Sequence, residues 1–323
     1  MGSATILETI EPYPRLKLGT YPTPVRAVAI ESGCSFWVKE DGCSSDVYGG
    51  NKLRKLEYLL ADALRRGVSR LVVQGDIRSH TTVACALHAR RQGLEVVAVV
   101  YAHGKRPPAL GTDSRLHDCG AQVVRTPGFL TMLLVARLLS CRKGTYLVPF
   151  GCSQPLTTLG HIRAVAELCD QIRAGELPAP DLLFVAHASG GTVAGLLIGL
   201  ALADLPCRVV AVQTVEPAVS NRGRIERLVK ATLDLLPPSD ALFSTAMEHL
   251  EKLEPSYIGG GYFSPSARAL RAISRVSPAG LRLDSAFTGK AMAAMLDAMA
   301  AAPHKRYLFW NTNDAAHEPE PSG

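Results

Sequence analysis

The chain has 323 residues, of which 47% are hydrophobic and 20% are charged, a balance that is typical of a globular protein with a large buried core. The formal net charge is +6, but the basic residues are scattered and are not interleaved with aromatic ones, which argues against nucleic-acid binding. No apolar run reaches the roughly 18 residues that a membrane-spanning helix needs, and the N-terminus lacks the layout of a secretory signal, so we expect a soluble cytoplasmic protein with no membrane partner.

A proline-rich stretch near the N-terminus, 11–25, predicts an extended lead-in. The first informative segment is VYGGNKLRKLEYLL (47–60), in which two glycines lead directly into Asn51 and Lys52 and a helical pattern begins. Most lysines lie on solvated faces, whereas Lys52 stands at the mouth of a glycine turn. This position makes Lys52 a candidate for chemistry.

Seven short apolar runs predict strands, at 70–74, 94–101, 121–126, 145–150, 181–187, 207–216 and 306–311. Amphipathic stretches between them predict helices, at 79–93, 114–120, 129–139 and 156–173 and again from about Gly190. Continuous Val/Leu/Ile strands that alternate with helices are typical of parallel sheets covered on both faces. We therefore predict an α/β fold with functional loops at the carboxyl ends of its strands, and a candidate hinge between two lobes at 177–181.

The loop GDIRSHTT (75–82) follows the first of these strands. Ser79 or Thr81 suits the cap of the next helix, and Ser79 also suits proton handling or carboxylate binding. His80 is open to two interpretations, a general base or a polar loop residue.

The stretch VAHASGGTVAGLLIGL (185–200) takes a buried strand through two glycines into a helix. Gly190 and Gly191 expose successive backbone N–H groups at the positive end of that helix, an arrangement that favours a phosphate. A tight turn with close helix packing is an equally good interpretation. A dinucleotide site is a poorer one, because the glycines read G-G-x-x-x-G instead of G-x-G-x-x-G.

A lysine on a glycine turn and a separate phosphate cradle together indicate carbonyl chemistry. Such a lysine can form a Schiff base, and desolvation would lower its pKa. An aldehyde that carries a phosphate, pyridoxal 5′-phosphate (PLP), satisfies both features. The eight cysteines include no C-x-x-C pair, and the sequence predicts no metal site.

The order of these motifs resembles the 1-aminocyclopropane-1-carboxylate (ACC) deaminase/D-cysteine desulfhydrase family of fold-type-II PLP enzymes, in the tryptophan-synthase β-like group. GGNKLRKLEYLLADAL looks like the lysine segment, and the similarity continues in family order through LGTYPTPV, GDIRSHTT, VPFGCSQPLTTLGH, ASGGTVAGL, GGGYFSP, LDSAFTGKA and LFWNTND. The resemblance implies two open-sheet α/β lobes with PLP in the cleft between them. The larger, PLP-binding lobe would comprise 1–53 plus 166–323 and the smaller lobe 54–165, and a homodimer is expected.

The resemblance also assigns roles to single residues. Lys52 matches the Schiff-base lysine, Ser79 an active-site serine beside the substrate carboxylate, and Tyr262 an active-site tyrosine. The phosphate loop is matched by Ala188, Ser189, Gly190, Gly191 and Thr192. The further cofactor-binding candidates are Asn51, His80, Thr288 and Thr312, and the two threonines lie in segments that would supply a hydroxyl to the pyridine nitrogen.

Departures from the family pattern concern the substrate. Gln-Ser-Asn is replaced by Arg78-Ser79-His80, so His80 either retunes the phenolic oxygen of the cofactor or acts as an acid or base. A tyrosine is replaced by Phe287, which cannot transfer a proton, and cyclopropane opening becomes doubtful. The final H-T-G-G becomes 311–314, Asn-Thr-Asn-Asp, and gains the carboxylate of Asp314.

The function expected from these residues is a PLP-dependent lyase or deaminase. It would act on a small molecule, an amino acid or amino-acid-like substrate, by β- or γ-elimination, with C–N, C–S or cyclopropane C–C cleavage, as a specialised relative with an altered substrate. Two alternatives stay open: a PLP-dependent replacement synthase or racemase, and a PLP-binding protein without catalysis.

Overall fold

The computed structural model describes residues 2–30, 33–102 and 114–314. Over these ranges ten strands form two sheets. The six-stranded sheet has the order β1-β2-β10-β7-β8-β9 and the four-stranded sheet the order β5-β4-β3-β6. The six strands are β1 (Val25–Ala29), β2 (Ser35–Glu40), β7 (Leu182–His187), β8 (Arg208–Gln213), β9 (Leu250–Glu254) and β10 (Tyr307–Asn311). The other four are β3 (Arg70–Asp76), β4 (Glu95–Tyr101), β5 (Gln122–Arg125) and β6 (Thr145–Val148).

All pairs in the smaller sheet are parallel, and so are those of the larger sheet except β1 with β2. The helices are α1 (Ser3–Ile10), α2 (Asn51–Arg65), α3 (His80–Arg91), α4 (Ser114–Asp118), α5 (Phe129–Ser140), α6 (Pro155–Arg173), α7 (Gly191–Ala203), α8 (Arg222–Leu233), α9 (Leu242–Glu248), α10 (Ala267–Val276) and α11 (Thr288–Ala301). The predicted α/β fold with two open-sheet lobes is confirmed.

The elements that the sequence did not predict are α1, α8, α9, α10, β1, β2 and β9. The predicted lead-in at 11–25 follows α1 and ends where β1 begins.

Helices cover both faces of the larger sheet. One core contains α1, α6 and α7 with β7 and β8, and a second contains α10 and α11 on the opposite face. Close packing of α6 and α7 requires Gly195, because a Cβ there would lie 2.6 Å from the Cβ of His161.

The smaller sheet is covered by α2 and α3 on one face and by α5 on the other. Helix α2 belongs to both lobes, since Leu56 packs in this smaller core while Tyr58 packs in the core of α6 and α7. Segment 177–181 joins α6 to β7, and Leu177 packs with both. The candidate hinge therefore lies inside the larger lobe and not between the lobes. The predicted lobe boundaries at residues 53 and 165 stay a prediction.

Candidate active site

A cleft of about 890 Å³, including its open mouth, lies between the two lobes. Ten of the predicted site residues line it: Asn51, Lys52, Ser79, His80, Ala188, Ser189, Gly190, Thr192, Tyr262 and Thr312. Gly191 and Thr288 are not among the lining residues. The loops that follow β3, β7 and β10 all contribute, so the carboxyl ends of parallel strands converge on the cleft, as the strand pattern predicted.

Lys52 lies on the first turn of α2, and the glycine turn before it is sterically required. Gly50 has φ +86°, and a Cβ there would lie 2.8 Å from the carbonyl oxygen of Thr312. The Lys52 Nζ donates to Asn51 Oδ1 at 2.9 Å, and Asn51 Nδ2 donates to Thr192 Oγ1 at 2.9 Å. Burial in the cleft lowers the pKa of the Lys52 amine, which favours the neutral, nucleophilic form.

A buried ion network fixes the start of α2 behind Lys52. Arg54 pairs with Asp41 at 2.9 Å and with Glu167 at 2.7 Å, and Trp310 Nε1 donates to the other Asp41 oxygen at 2.8 Å. The network joins α2 to α6 and β10, so the position of Lys52 is coupled to both.

The loop between β7 and α7 forms a cradle at the N-terminus of a 13-residue helix. Gly190 has φ +91°, and the Gly191 N–H donates to Ser153 Oγ at 3.3 Å. Ser153 Oγ lies 2.7 Å from Ser189 Oγ. The Lys55 Nζ donates to Ser153 Oγ at 3.2 Å and to the Gly151 carbonyl at 3.4 Å. Hydroxyls, a lysine and a helix N-terminus thus meet at one point, which suits an anion.

His187 ends β7 directly before this cradle and is 1% exposed. Neither of its ring nitrogens has a hydrogen-bond partner among the described residues. Burial lowers the pKa of His187 to about 3, and the nearby Arg224 and Lys55 cations add to that shift. Arg224 Nε donates to the Ser189 carbonyl at 2.8 Å. The ring is therefore neutral, and His187 lines the cleft beside the cradle.

Ser79 and His80 lie at the start of α3, on the wall of the cleft opposite the cradle. Ser79 is the N-cap, and its Oγ accepts from the Thr81 N–H at 3.2 Å. His80 Nδ1 lies 2.6 Å from the hydroxyl of Tyr48. Tyr48 also lines the cleft but was not predicted, because its partner is 32 residues away in the sequence.

Aromatic rings form a third wall. The ring centroids of Tyr262 and Phe287 are 5.8 Å apart, and those of His80 and Phe287 are 6.3 Å apart. The buried Lys290 donates to the Gly261 carbonyl at 3.0 Å and so holds the loop that carries Tyr262. Burial raises the pKa of the Tyr262 phenol, and the Asp76 carboxylate adds to that shift, so the phenol keeps its proton at neutral pH.

Thr288 has a structural partner instead of facing the cleft. Its Oγ1 donates to Asp284 Oδ2 at 2.5 Å, and Asp284 also accepts the N–H groups of Ala286 and Phe287. Asp284 thereby accepts backbone N–H groups at the N-terminus of α11, a role that was not predicted. Of the two threonines considered for the pyridine nitrogen, only Thr312 is among the lining residues.

Comparison with known proteins identifies the family. A model described as "Pyridoxal-phosphate dependent enzyme" matches residues 16–312. The chain belongs to the pyridoxal-phosphate-dependent enzyme family. It is 30% identical to a putative ACC deaminase of Pyrococcus abyssi (strain GE5 / Orsay), over 88% of this chain and 86% of that relative. It is also 30% identical to D-cysteine desulfhydrase of Salmonella choleraesuis (strain SC-B67), over 89% of each chain.

A solved structure supports the same assignment. The crystal structure of an ACC deaminase homologue superposes with a TM-score of 0.82 at 26% identity, over 97% of this chain and 95% of that one. The predicted relationship to the ACC deaminase/D-cysteine desulfhydrase family is confirmed. The protein is a PLP-dependent enzyme of the lyase and deaminase kind.

The residues of the cleft fit PLP on two observations. A Cβ at Gly191 would lie 3.1 Å from Lys55 Nζ, so the absence of a side chain keeps the space of the cradle open for a phosphate. His187 lines the same cleft, and its buried ring nitrogens have no partner among the described residues, although buried polar atoms require a hydrogen-bond partner.

Two classes of feature are absent from the described ranges. No group of His, Cys, Asp or Glu side chains there has the geometry to hold a metal ion. Among the helices that the structure describes, none has the length and apolar character that crossing a membrane requires.

Proposed function

We propose that this protein removes a β or γ substituent from a small amino acid and releases a keto acid and ammonia. The observation that carries the proposal is one cleft in which the amine of Lys52 shares a wall with the glycine cradle of α7. PLP supplies an aldehyde that combines with amino groups and an electron-poor ring that accepts the electron pair released at the substrate Cα.

Lys52 is the amine that would hold the PLP aldehyde and, once released, take the proton from the substrate Cα. Its lowered pKa supports both roles, because each requires the unprotonated amine. Asn51 keeps the Nζ oriented through the hydrogen bond at 2.9 Å, and Thr312 is the hydroxyl that would face the ring nitrogen.

The phosphate would lie against residues 188–192, at the N-terminus of α7. Lys55 adds a cationic donor, since its Nζ already reaches Ser153 Oγ at 3.2 Å. His187 would donate one ring N–H to a phosphate oxygen, and that contact would satisfy a buried group that otherwise has no partner among the described residues.

The substrate carboxylate would bind at the N-terminus of α3. Ser79 offers its hydroxyl there, and the helix dipole favours a negative charge. Tyr262 closes the opposite side, and its raised pKa keeps it a hydrogen-bond donor. Phe287 beside it has no hydroxyl, which argues against cyclopropane opening by a phenol at that position and in favour of a substrate different from ACC.

We further propose that the protein works in the cytoplasm as a homodimer. The outer face of α5 supports a self-association surface, because Leu130, Leu134 and Leu138 are 78%, 60% and 62% exposed and recur every fourth residue. One such stripe per protomer suits a two-fold contact.

The experiment is a product assay over a panel of D- and L-amino acids with β or γ leaving groups. We expect a keto acid and ammonia from the wild type, no product from Lys52→Ala, and wild-type activity from Lys230→Ala, a change at an exposed lysine on α8. New amino acid formed with an added thiol or amine would show replacement instead. Exchange of the α-proton for deuterium without release of a keto acid would indicate a racemase. No exchange at all would indicate a non-catalytic protein.

A further inference from the structure

We propose that His80, held by Tyr48, is the acid that protonates the departing group of the substrate, and that the site takes amino acids whose β or γ substituent leaves through an oxygen atom. This inference rests on the proposed function, because it concerns the same cleft. It assigns a catalytic role to His80 and a positioning role to Tyr48, which acts only through His80.

Tyr48 forms hydrogen bonds through both its side-chain hydroxyl and its backbone carbonyl. Its hydroxyl lies 2.6 Å from His80 Nδ1, and its backbone carbonyl accepts from the buried His88 Nε2 at 2.9 Å. Because a carbonyl only accepts, His88 Nε2 is the nitrogen that carries the proton. The Tyr48 side chain is 4% exposed, so its hydroxyl is a fixed partner for one nitrogen of the His80 ring.

The phenol hydroxyl of Tyr48 can hydrogen-bond to Nδ1 of His80 in both the charged and the neutral state of the ring. It accepts from Nδ1–H when the ring is an imidazolium, and it donates to Nδ1 when the ring is neutral in the Nε2–H form. In both of these states the remaining nitrogen, Nε2, carries a proton. Tyr48 thus occupies Nδ1, so Nε2 is the nitrogen from which His80 would pass a proton to the substrate.

The bond between the substrate carbon and the leaving oxygen breaks, and its electron pair stays on the oxygen. The Nε2 proton of the His80 imidazolium moves to that oxygen, so the group leaves as water or an alcohol. The ring is then neutral, with its proton on Nδ1 facing Tyr48, and regains the lost proton from solvent before the next turnover.

The position of His80 suits this role. Its ring makes an edge contact with Phe287, at 6.3 Å between centroids, and Phe287 in turn contacts Tyr262 at 5.8 Å. All three rings line the cleft. His80 therefore places a proton donor next to Phe287, which has no donor of its own.

Leaving groups differ in whether they need a proton, and this difference separates an acid role of His80 from other roles. Chloride leaves carbon without a proton, whereas hydroxide leaves poorly unless an acid protonates it, and a positioned acid contributes about 10²- to 10⁴-fold to such steps. An acid in the cleft therefore matters for serine much more than for β-chloroalanine.

The experiment compares kcat/KM for serine with kcat/KM for β-chloroalanine, both as D and L forms, using the PLP-loaded enzyme. We expect His80→Asn to lower the serine to β-chloroalanine ratio by about 10²-fold or more. Tyr48→Phe should lower the ratio by about tenfold, a typical loss for one hydrogen bond to a charged group. The matched control is Tyr146→Phe, whose hydroxyl accepts from Gln154 Nε2 at 2.9 Å outside the cleft lining, and it should keep the ratio.

A second readout follows the ring itself, by ¹⁵N NMR of histidine-labelled protein. The Nδ1 atom of His80 should show the ¹⁵N chemical shift of a hydrogen-bonded nitrogen in the wild type and lose it in Tyr48→Phe, but not in Tyr146→Phe. A Tyr48 hydroxyl that only fills space would leave the Nδ1 shift unchanged.

Three results would overturn the inference. An equal loss on both substrates in His80→Asn would mean that His80 acts on the cofactor or the fold. A wild type that eliminates chloride but never hydroxide would contradict the assignment of an oxygen leaving group. A wild type that binds PLP but leaves β-chloroalanine untouched would contradict the proposed elimination function itself.

Discussion

Gly191 and Ser153 are in contact across the cradle. The Gly191 N–H donates to Ser153 Oγ at 3.3 Å, and a Cβ at Gly191 would lie 2.7 Å from that same oxygen. Such a distance is too short for a carbon and an oxygen, so Gly191→Ala must displace Ser153, and with it Lys55. Overpacking of this kind costs about 1–3 kcal/mol, so we expect the affinity of the apoprotein for PLP to fall by about tenfold or more, measured by equilibrium titration.

The control for this change is Gly223→Ala, on the first turn of α8. A Cβ there makes an ordinary contact with Asn221 at 3.5 Å, and alanine is the better helix former. We expect unchanged PLP affinity in this variant. Equal affinities in the two variants would contradict a phosphate cradle at Gly191.

His187 makes the stability of the apoprotein depend on pH. Burial holds its pKa at about 3, below the roughly 6.5 of an unfolded histidine. Between these values the unfolded state binds more protons than the folded state, so the free energy of unfolding falls as the pH is lowered. From pH 6.5 to pH 5 the loss from this residue is about 2 kcal/mol.

The measurement is urea unfolding of the wild type and of His187→Gln at both pH values. The other titrating groups are common to the two proteins, so the difference between them isolates His187. We expect the wild type to lose about 2 kcal/mol more than the variant between pH 6.5 and pH 5. Parallel losses would show that His187 is protonated in the folded protein or exposed to solvent.

Helix α5 provides a test of the homodimer. Leu134 lies in the middle of the exposed leucine stripe, so Leu134→Glu would bury a charge in the proposed contact. We expect sedimentation velocity to show a dimer for the wild type and a monomer for this variant. Leu270→Glu, at a leucine of α10 that is 50% exposed, should stay dimeric, and a dimer in both variants would exclude α5 as the contact.

Periodicity in the sequence was enough to predict seven strands, β3 to β8 and β10, because they are continuous apolar runs that need no partner to be recognised. Strand β2 (SFWVKE) was missed for the opposite reason. Charged residues such as Lys39 and Glu40 are typical of solvent-exposed chain, yet Lys39 is fully buried. Its burial is possible because Nζ donates to the Thr23 carbonyl at 2.6 Å and to Gln171 Oε1 at 2.5 Å. Strand β9 (LEKLE) carries exposed charges, which are common on an edge strand but look like a surface loop.

The candidate site was likewise predicted only where a residue could be recognised without its partner. The glycine turn before Lys52 and the glycines of the cradle were evident, since tight turns need residues without a Cβ. The partners of these residues were not, because Tyr48 meets His80 and Lys55 meets Ser153 across long stretches of sequence. Thr288 was predicted to supply a hydroxyl to the pyridine nitrogen, and only its contact with Asp284 in the structure indicates a structural role.

Borohydride reduction of the PLP-loaded protein, followed by peptide mass spectrometry, tests the central claim most directly. Reduction fixes PLP permanently to the lysine that holds it, and three buried or partly buried lysines, Lys52, Lys55 and Lys290, lie in or near the cleft. We predict a single modified residue, Lys52, and no modification in Lys52→Ala. A label on Lys55 or Lys290 in the wild type, or no label at all, would contradict this account of the site.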